Sequence, residues 1–253
     1  MALENGVAIV TGGGRNIGEA VAHRFANAGV NVAVVDLRID AANAVASAIN
    51  VRRSGSALAI AADVSSPEDY QRVVKEVVDR WGSIDILVSN AAITDRRTLF
   101  ELTLEEWNQV LGVNLTGVFL GAKYVGKQMA DQGRGGRIIN IASTSGHRGR
   151  QSGMAYSAAK GGVLNLTRSL AIALAPHGIR VNSVSPNRIG SPVGQESAPE
   201  GGREVVNLVG RPGTPDDIAA AVEFLASEGG DFVSGTDLLV DGGSMAGPFT
   251  PTA

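Results

Sequence analysis

Apolar and polar residues alternate along this chain in blocks of two kinds, and the alternation predicts strands and helices in turn. Short apolar runs bounded by glycine or polar residues are typical of strands buried on both faces of a parallel sheet. Longer segments with apolar residues three and four positions apart are typical of helices. The predicted strands are residues 7–10, 32–35, 57–62, 84–88, 137–142, 179–185 and 238–240, and the predicted helices are residues 17–28, 67–81, 104–129, 155–175 and 215–226.

This order of strands and helices predicts an α/β fold. We expect a single-domain, doubly wound parallel β-sheet of about seven strands with helices on both faces, the Rossmann fold. At 253 residues, of which 44% are hydrophobic, the chain is long enough to bury one large core, and one domain over residues 1–253 is predicted. Residues 187–202 are rich in Gly, Pro and Ser without periodicity, so we predict a substrate flap at about residues 187–210.

The turn after the first strand reads Thr-Gly-Gly-Gly-Arg over residues 11–15 and opens a helix. In a βαβ unit such a turn places a pyrophosphate at a helix N-terminus, where free N–H groups and the helix dipole favour negative charge. Asp36 ends the next strand, where a carboxylate accepts hydrogen bonds from an adenosine ribose. The pattern predicts a dinucleotide. Asp36 repels a 2′-phosphate and so favours NAD, while Arg15 and Arg38 are close enough in sequence to hold that phosphate and leave NADP as the alternative.

Composition and charge disfavour several other classes of protein. A net charge of −3 gives no basic field for nucleic acid or an anionic membrane, and no window reaches the ~18 apolar residues that span a bilayer. The chain has no cysteine and three scattered histidines, so we predict no disulfide and no metal site. The N-terminal residues lack a basic region followed by a long apolar run, which favours a cytoplasmic location.

The stretch from residue 140 to residue 160 carries the candidate chemistry. Tyr156 and Lys160 lie four residues apart in a predicted helix, so they share one face. A phenol has a pKa of about 10, and a neighbouring ammonium lowers it by favouring the phenolate. The pair is therefore a candidate general acid and base, with Ser143 as the hydrogen-bonding partner of the oxygen that changes protonation. Tyr-x-x-x-Lys also occurs by chance on helices, so the decision depends on the other motifs.

Several motifs, in this order along the chain, resemble the short-chain dehydrogenase/reductase family. The resemblance extends from about Gly6 to Gly243, and Ser143 precedes Tyr156 by the family's spacing. The matching motifs are the cofactor turn at residues 11–18, the adenine-contacting Asp63, the strand-four signature Asn90-Ala91-Ala92, and the catalytic residues Asn114, Ser143, Tyr156 and Lys160.

The resemblance implies hydride transfer between a nicotinamide and a secondary alcohol or ketone. Tyr156 would be the acid and base, Ser143 would fix the substrate oxygen, and Lys160 would lower the tyrosine pKa and hold the nicotinamide ribose. Asn114 would anchor a water that connects Lys160 to solvent. The alternatives are a catalytically silent dinucleotide-binding regulatory or scaffold protein, an NADP-dependent carbonyl reductase, and an enzyme that recycles its cofactor during epimerisation or elimination. A silent binding protein has no need of all four catalytic residues.

The resemblance also implies a set of cofactor contacts. They are Gly12, Arg15, Asn16, Ile17, Gly18, Asp36, Leu37, Asp63, Val64, Asn90, Ala91, Tyr156, Lys160, Pro186, Ile189 and Ser191. The chain departs from the family's pattern at Asn16 and Asn187, where glycines are usual, and at Ser191, where threonine is common. Asn is the non-glycine residue that best tolerates left-handed backbone angles, so we expect the cofactor turn to keep its shape.

The small-molecule alcohol or carbonyl substrate is specified only at the mouth of the pocket. By the resemblance, the residues there are Ile93, Thr94, Ser145, His147, Arg148, Arg188 and Val193. His147, Arg148 and Arg150 form a basic cluster in the sequence. This cluster either meets a carboxylate, a phosphate or a polyol, or belongs to an ordinary solvated loop.

Two predicted helices carry more apolar and small residues than one sheet face needs. These helices begin near Leu104 and Ala155, and the small residues include Gly117, Gly121, Ala158 and Gly162. Members of the family usually assemble as tetramers through equivalent helices and the C-terminal strand. We therefore expect a homotetramer with two-fold axes.

Overall fold

The computed structural model of the chain describes residues 3–190, 193 and 207–247. The strands are β1 (Val7–Thr11), β2 (Asn31–Asp36), β3 (Ala57–Ala61), β4 (Ile86–Ser89), β5 (Gly136–Ile141), β6 (Ile179–Pro186) and β7 (Asp237–Val240). The helices are α1 (Asn16–Asn27), α2 (Ile39–Arg52), α3 (Pro67–Trp81), α4 (Leu104–Leu111), α5 (Gly117–Gln132), α6 (Met154–Leu174) and α7 (Pro215–Ala226). A π-helical turn, Gly112–Thr116, joins α4 to α5, and 3₁₀ turns lie at Thr144–Gly146, Ala175–His177 and Glu228–Gly230.

The strands of the described chain form one parallel sheet. Their order is β3-β2-β1-β4-β5-β6-β7, and each neighbouring pair runs in the same direction. The order reverses between β1 and β4, which lie side by side. Ligands of such sheets bind at this reversal, outside the carboxyl ends of the strands. The predicted α/β doubly wound fold is confirmed.

Two apolar layers cover the two faces of the sheet. Successive strand residues point to opposite faces, so Val10 and Val34 join one layer while Ile9 and Val35 join the other. The first layer packs against α1, α2 and α7, and the second against α3, α5 and α6. Burial on both faces explains why the strands appear in the sequence as continuous apolar runs.

The helix prediction needs two corrections. The structure contains α2, which the apolar pattern did not reveal, and the helix predicted at residues 104–129 is interrupted by the π-helical turn. A π turn holds one more residue than an α turn, so it rotates the helix that follows. After this turn, Phe119 is 45% exposed, whereas Val118 and Leu120 on either side of it are buried.

The glycines assigned to association pack inside the chain. A Cβ at Gly121 would lie 2.8 Å from the Tyr70 hydroxyl, and one at Gly162 would lie 2.9 Å from the Leu115 side chain. Gly117 is buried as well. These residues therefore bring helices close together within one subunit, and their presence does not indicate an intersubunit surface.

Some predictions fall outside what the structure describes. Residues 191–192 and 194–206, which include Ser191 and most of the predicted flap, are not among the described residues. No helix in the described ranges is both long and apolar enough to cross a bilayer. The single domain and the cytoplasmic location stay predictions from the sequence.

Candidate active site

A cleft of about 800 Å³ opens at the carboxyl edge of the sheet, beside the reversal between β1 and β4. Most of the predicted site residues line it. They are Gly12, Arg15, Asn16, Ile17, Asp36, Leu37, Asp63, Val64, Asn90, Ala91, Ser143, Tyr156, Lys160, Pro186 and Ile189. Gly18 and Asn114 do not line the cleft and instead support residues that do.

The turn after β1 is closed by the approach of two glycines. A Cβ at Gly18 would lie 2.1 Å from the Gly12 carbonyl oxygen, a distance that no side chain tolerates. The Asn90 amide donates to the carbonyl oxygens of Thr11 and Gly12, at 3.0 and 2.9 Å, and ties β4 to the turn. The first turn of α1 therefore lines the cleft with its N-terminal end.

Asn16 occupies the turn in the left-handed conformation, with φ of 51°. Asparagine therefore adopts here the left-handed backbone angle that it tolerates best among the non-glycine residues. A Cβ at Gly190 would lie 2.4 Å from Asn16 Oδ1, so the asparagine side chain packs directly against the segment that follows β6. The two sides of the cleft meet at this contact.

Asp36 ends β2 with both carboxylate oxygens engaged by the backbone. Oδ2 accepts from the N–H of Gly14 and Oδ1 from the N–H of Arg38, each at 3.0 Å. These bonds fix the carboxylate in the wall of the cleft. A tight glycine turn, a helix N-terminus and a fixed carboxylate are the features that fit the pyrophosphate and ribose of a dinucleotide.

Tyr156 and Ser143 share a hydrogen bond between their side chains inside the cleft. Tyr156 is buried, and burial raises its pKa above the ordinary value, while the hydrogen bond from Ser143 and the charge of Arg150 oppose that rise. The sequence predicted a lowered pKa for this phenol. For the chain alone that prediction is wrong, because the cost of desolvating the phenolate outweighs the charges around it.

The loop that carries Ser143 lies directly on α6. A Cβ at Gly146 would lie 2.7 Å from the backbone carbonyl carbon of Lys160, so this contact requires glycine. The close approach places the hydroxyl at the end of β5 beside the phenol on the helix.

Lys160 is 1% exposed, and its Nζ lies 5.7 Å from the centre of the Tyr156 ring. The ammonium donates to the Ile141 carbonyl oxygen at 2.6 Å. Burial lowers its pKa to about 8, because a low-dielectric interior disfavours the charged form. Burying a lysine in this way lowers the stability of the fold, and a buried lysine beside a phenol in a cleft is typical of a functional site.

Asn114 lies in the π-helical turn and is fully buried. Its Oδ1 accepts from the N–H of Ile93 at 3.1 Å, and its Nδ2 donates to the Ile93 carbonyl oxygen at 2.7 Å. These two bonds hold the segment after β4 against the cleft, and π turns are frequent at functional sites.

Asp95 is a buried residue of the cleft that the sequence did not reveal. Its Oδ1 accepts from the N–H of Tyr156 at 3.0 Å. Tyr156 is the third residue of α6, so the bond satisfies a free N–H group at the helix N-terminus and fixes the end that carries the phenol. The two residues are 61 positions apart, and no local signal connects them.

The predicted basic cluster is divided by the fold. His147 Nε2 lies 2.8 Å from Asp237 Oδ2 at the start of β7, and His147 does not line the cleft. Arg148 and Arg150 do line it. The remaining residues expected at the mouth also line it: Ile93, Thr94, Ser145, Arg188 and Val193. Within residues 3–190, 193 and 207–247, no group of three or more His, Cys, Asp or Glu side chains is arranged to hold a metal ion.

Asn187, the second replacement of a usual glycine, connects three segments. Its Oδ1 accepts from the Thr144 hydroxyl at 3.2 Å, and its Nδ2 donates to the Ser244 hydroxyl at 2.7 Å. Ser244 in turn donates to Asp241 at 3.0 Å. The loop after β5, the segment after β6 and the segment after β7 are thereby joined at the wall of the cleft, which Thr144 and Asn187 line.

Comparisons with known proteins match nearly the whole chain. A family model described as enoyl-(acyl carrier protein) reductase matches residues 12–245. A short-chain dehydrogenase/reductase of Hericium erinaceus is 39% identical over 248 residues, which cover 95% of this chain and 98% of the relative. Sorbitol dehydrogenase of Cereibacter sphaeroides is 36% identical over 257 residues, covering 96% and 99%. The crystal structure of 3-ketoacyl-(acyl-carrier-protein) reductase from Brucella melitensis complexed with NADH has a TM-score of 0.87 and 35% identity, covering 96% of this chain and 99% of that one.

Proposed function

Because the chain belongs to the short-chain dehydrogenase/reductase family, we propose that it transfers a hydride between NAD and a small secondary alcohol or the matching ketone. The observation that carries this proposal is the meeting of Tyr156, Ser143 and Lys160 in the same cleft as the glycine turn and the fixed carboxylate of Asp36. A relative that is a sorbitol dehydrogenase makes polyols the first substrates to test.

Each catalytic residue of the cleft has a separate role in alcohol oxidation. A bound nicotinamide dinucleotide supplies the acceptor of the hydride in oxidation and its donor in reduction. Ser143 donates a hydrogen bond to the substrate oxygen and fixes its position beside the phenol. Tyr156 accepts the hydroxyl proton as the carbonyl forms, and in the reverse direction it returns that proton.

Lys160 makes the proton transfer possible at neutral pH. In its charged form the buried ammonium stabilises the Tyr156 phenolate, and its own pKa of about 8 lets it exchange protons under physiological conditions. Asn114, held by its two bonds to Ile93, would anchor the water through which Lys160 exchanges protons with solvent.

The proposal is tested by following the absorbance of reduced nicotinamide while secondary alcohols, polyols and ketones are supplied. Turnover of at least one substrate with stoichiometric change in the cofactor supports it. Cofactor binding without turnover of any substrate would indicate the silent dinucleotide-binding protein. Product formed without net change in the cofactor would indicate epimerisation or elimination.

The fixed carboxylate of Asp36 predicts which dinucleotide is preferred. Asp36→Asn keeps the shape of the side chain and one of its two acceptor oxygens but removes the charge that repels a 2′-phosphate. We expect kcat/KM with NADP to rise and that with NAD to fall, so that their ratio changes roughly 10- to 100-fold, the range of one charged hydrogen bond. Kinetics with both cofactors measure the ratio.

Asp40→Asn is the control for this substitution. Asp40 lies exposed in the first turn of α2 and does not line the cleft, so its loss removes the same charge nearby. An unchanged ratio in Asp36→Asn, or an equal change in Asp40→Asn, contradicts the assignment of Asp36.

We also propose a homotetramer built on exposed apolar side chains of the long helices and of the last strand. Phe119 on α5 is 45% exposed, Ile172 on α6 is 78% exposed and Leu239 on β7 is 42% exposed. Apolar side chains at such exposure on regular elements favour association, and two different surfaces allow two sets of two-fold axes.

Replacement of Ile172 by glutamate is expected to yield smaller species, because it places a charge in the proposed contact. Light scattering during size-exclusion chromatography measures the mass. Val51→Glu is the control, since Val51 is an equally apolar residue on α2 that is 87% exposed. A wild-type monomer, or the same shift in both variants, would refute the proposed assembly.

A further inference from the structure

Among the described residues, the charged side chains that line the cleft away from the cofactor turn are mostly positive. Besides Lys160, they are Arg96, Arg148, Arg150, Arg188 and Asp95. The cofactor end is balanced, since Arg15 and Arg38 line it together with Asp36 and Asp63. A cleft whose lining is dominated by one sign of charge concentrates ligands of the opposite sign. The excess of positive charge lies away from the cofactor turn, so it bears on which substrate binds.

Arg150 is the arginine placed beside the reacting group. Its guanidinium carbon lies 6.0 Å from the centre of the Tyr156 ring, and its Nη1 donates to the Ser145 hydroxyl at 3.4 Å. A Cβ at Gly153 would lie 3.6 Å from the Asp95 carbonyl oxygen and 3.7 Å both from Arg150 Nη1 and from the Thr94 hydroxyl, so these groups surround one small space. That space adjoins the phenol at the N-terminus of α6.

The groups near Arg150 include the hydroxyls of Ser145 and Thr94 and the ring of Tyr156. Asp95 also lines the cleft, and its Oδ1 accepts from the N–H of Tyr156. Among the described residues, no carboxylate forms an ion pair with Arg150, whereas Arg24, Arg72 and Arg211 each have one. A guanidinium presents N–H donors in a fork that matches a carboxylate or a phosphate.

We propose that the substrate carries an anionic group, one or two carbons from the reacting carbon, and that Arg150 binds this group. The inference rests on the proposed function, and it names the substrate class: hydroxy acids and their oxo acids, or phosphorylated alcohols. Both share an oxyanion that accepts two hydrogen bonds. Arg150 is then the residue that selects the substrate, while Tyr156 and Ser143 act on the oxygen of the reacting carbon.

The position of Arg150 also couples binding to chemistry. Burial raises the pKa of Tyr156, and the charge of Arg150 opposes that rise. An anion paired with the guanidinium weakens this effect, so the pH profile of turnover is expected to differ between anionic and neutral substrates. Loss of Arg150 removes that difference.

The experiment compares matched substrates in wild type, Arg150→Met and Arg168→Gln. The pairs are lactate against 1,2-propanediol, 3-hydroxybutyrate against 1,3-butanediol, and glycerol 3-phosphate against glycerol, so the carboxylate and phosphate arms are separate. Arg168 lies exposed on α6 and does not line the cleft, which makes it a control for charge on the same helix. In parallel, malonate and inorganic phosphate are titrated into the NADH-loaded proteins while the fluorescence of NADH is followed.

We expect the anionic member of at least one pair to have the higher kcat/KM. Arg150→Met is expected to lower that value, mainly through KM, by roughly 10- to 100-fold more than it lowers the value for the neutral partner, whereas Arg168→Gln is expected to change neither. Equal values within every pair, or an equal loss for both members in Arg150→Met, would overturn the inference. If no substrate turns over, the proposed function fails, and the titrations still decide on Arg150: the dissociation constant of malonate or phosphate must rise in Arg150→Met.

Discussion

Tyr156→Phe is expected to lower kcat roughly a thousandfold, in the range that a positioned acid and base contributes, while the protein still binds NADH. The phenylalanine retains the ring that packs in the cleft but lacks the oxygen that shares a hydrogen bond with Ser143. The residue is 6% exposed, so the ring and not the hydroxyl accounts for most of its packing. Steady-state kinetics measure the loss of turnover, and fluorescence titration measures NADH binding.

Tyr124→Phe is the matched control. Tyr124 lies on α5 outside the cleft, so removing its hydroxyl should leave kcat unchanged. Normal turnover in Tyr156→Phe would refute the catalytic assignment. A loss of NADH binding as large as the loss of turnover would show that the hydroxyl serves cofactor binding instead.

Lys160→Met is expected to lower kcat and to change how the free energy of unfolding depends on pH. The variant lacks the ammonium that stabilises the phenolate, so kcat should fall by roughly two to three orders of magnitude. Methionine fills a similar volume without a charge in the buried position, so the fold should persist.

The effect on stability has a definite sign. Burial lowers the pKa of Lys160 from 10.5 to about 8, so between these pH values the unfolded chain binds a proton that the folded chain has released. The free energy of unfolding of the wild type therefore rises with pH across this window through Lys160. Relative to Lys160→Met, the wild type should gain about 3 kcal/mol between pH 7 and pH 10.5.

Urea denaturation of both proteins across this pH range measures the difference. Lys127→Met is the control, because Lys127 is an exposed lysine paired with Asp131 on α5. Parallel stability curves for the wild type and Lys160→Met would contradict the lowered pKa. Unchanged turnover in Lys160→Met would contradict the role of the amine in catalysis.

The sheet and its ligand-binding edge could be predicted because burial on both faces leaves a simple pattern. Every strand appears as an apolar run, and the residues that follow the runs, such as Asp36, Asn90 and Ser143, reach the same edge in a parallel sheet. The chemistry at that edge follows from residue type, since Tyr156 and Lys160 are held together by one helical turn.

The wrong predictions arise where the apolar pattern hardly distinguishes the buried face of a helix from its exposed face. The buried face of α2 includes Ala42 and Ala46, and alanines also occupy other positions of the helix, so the apolar pattern has little contrast. Phe119 stands between two other apolar residues, and the π turn before it changes which of the three faces the core.

The roles of Asp95 and Arg150 in the site could not be predicted, because they depend on contacts that spacing in the sequence does not reveal. Asp95 reaches the N–H of Tyr156 across 61 residues, and the placement of Arg150 over the phenol depends on the path of a loop. His147 has a similar sequence context to Arg150 but turns toward β7. The raised pKa of Tyr156 likewise depends on burial, which spacing alone does not reveal.

The hydrogen bonds from Thr144 through Asn187 to Ser244 bear on the construction of chimeras with related enzymes. The Asn187 amide accepts from the Thr144 hydroxyl and donates to Ser244 beyond β7. A chimera with glycine at position 187 loses the amide that bonds to Ser244. A chimera in which only the C-terminal segment is exchanged loses Ser244 as the partner of Asn187. Segments around residues 144, 187 and 244 should therefore be transplanted as one unit.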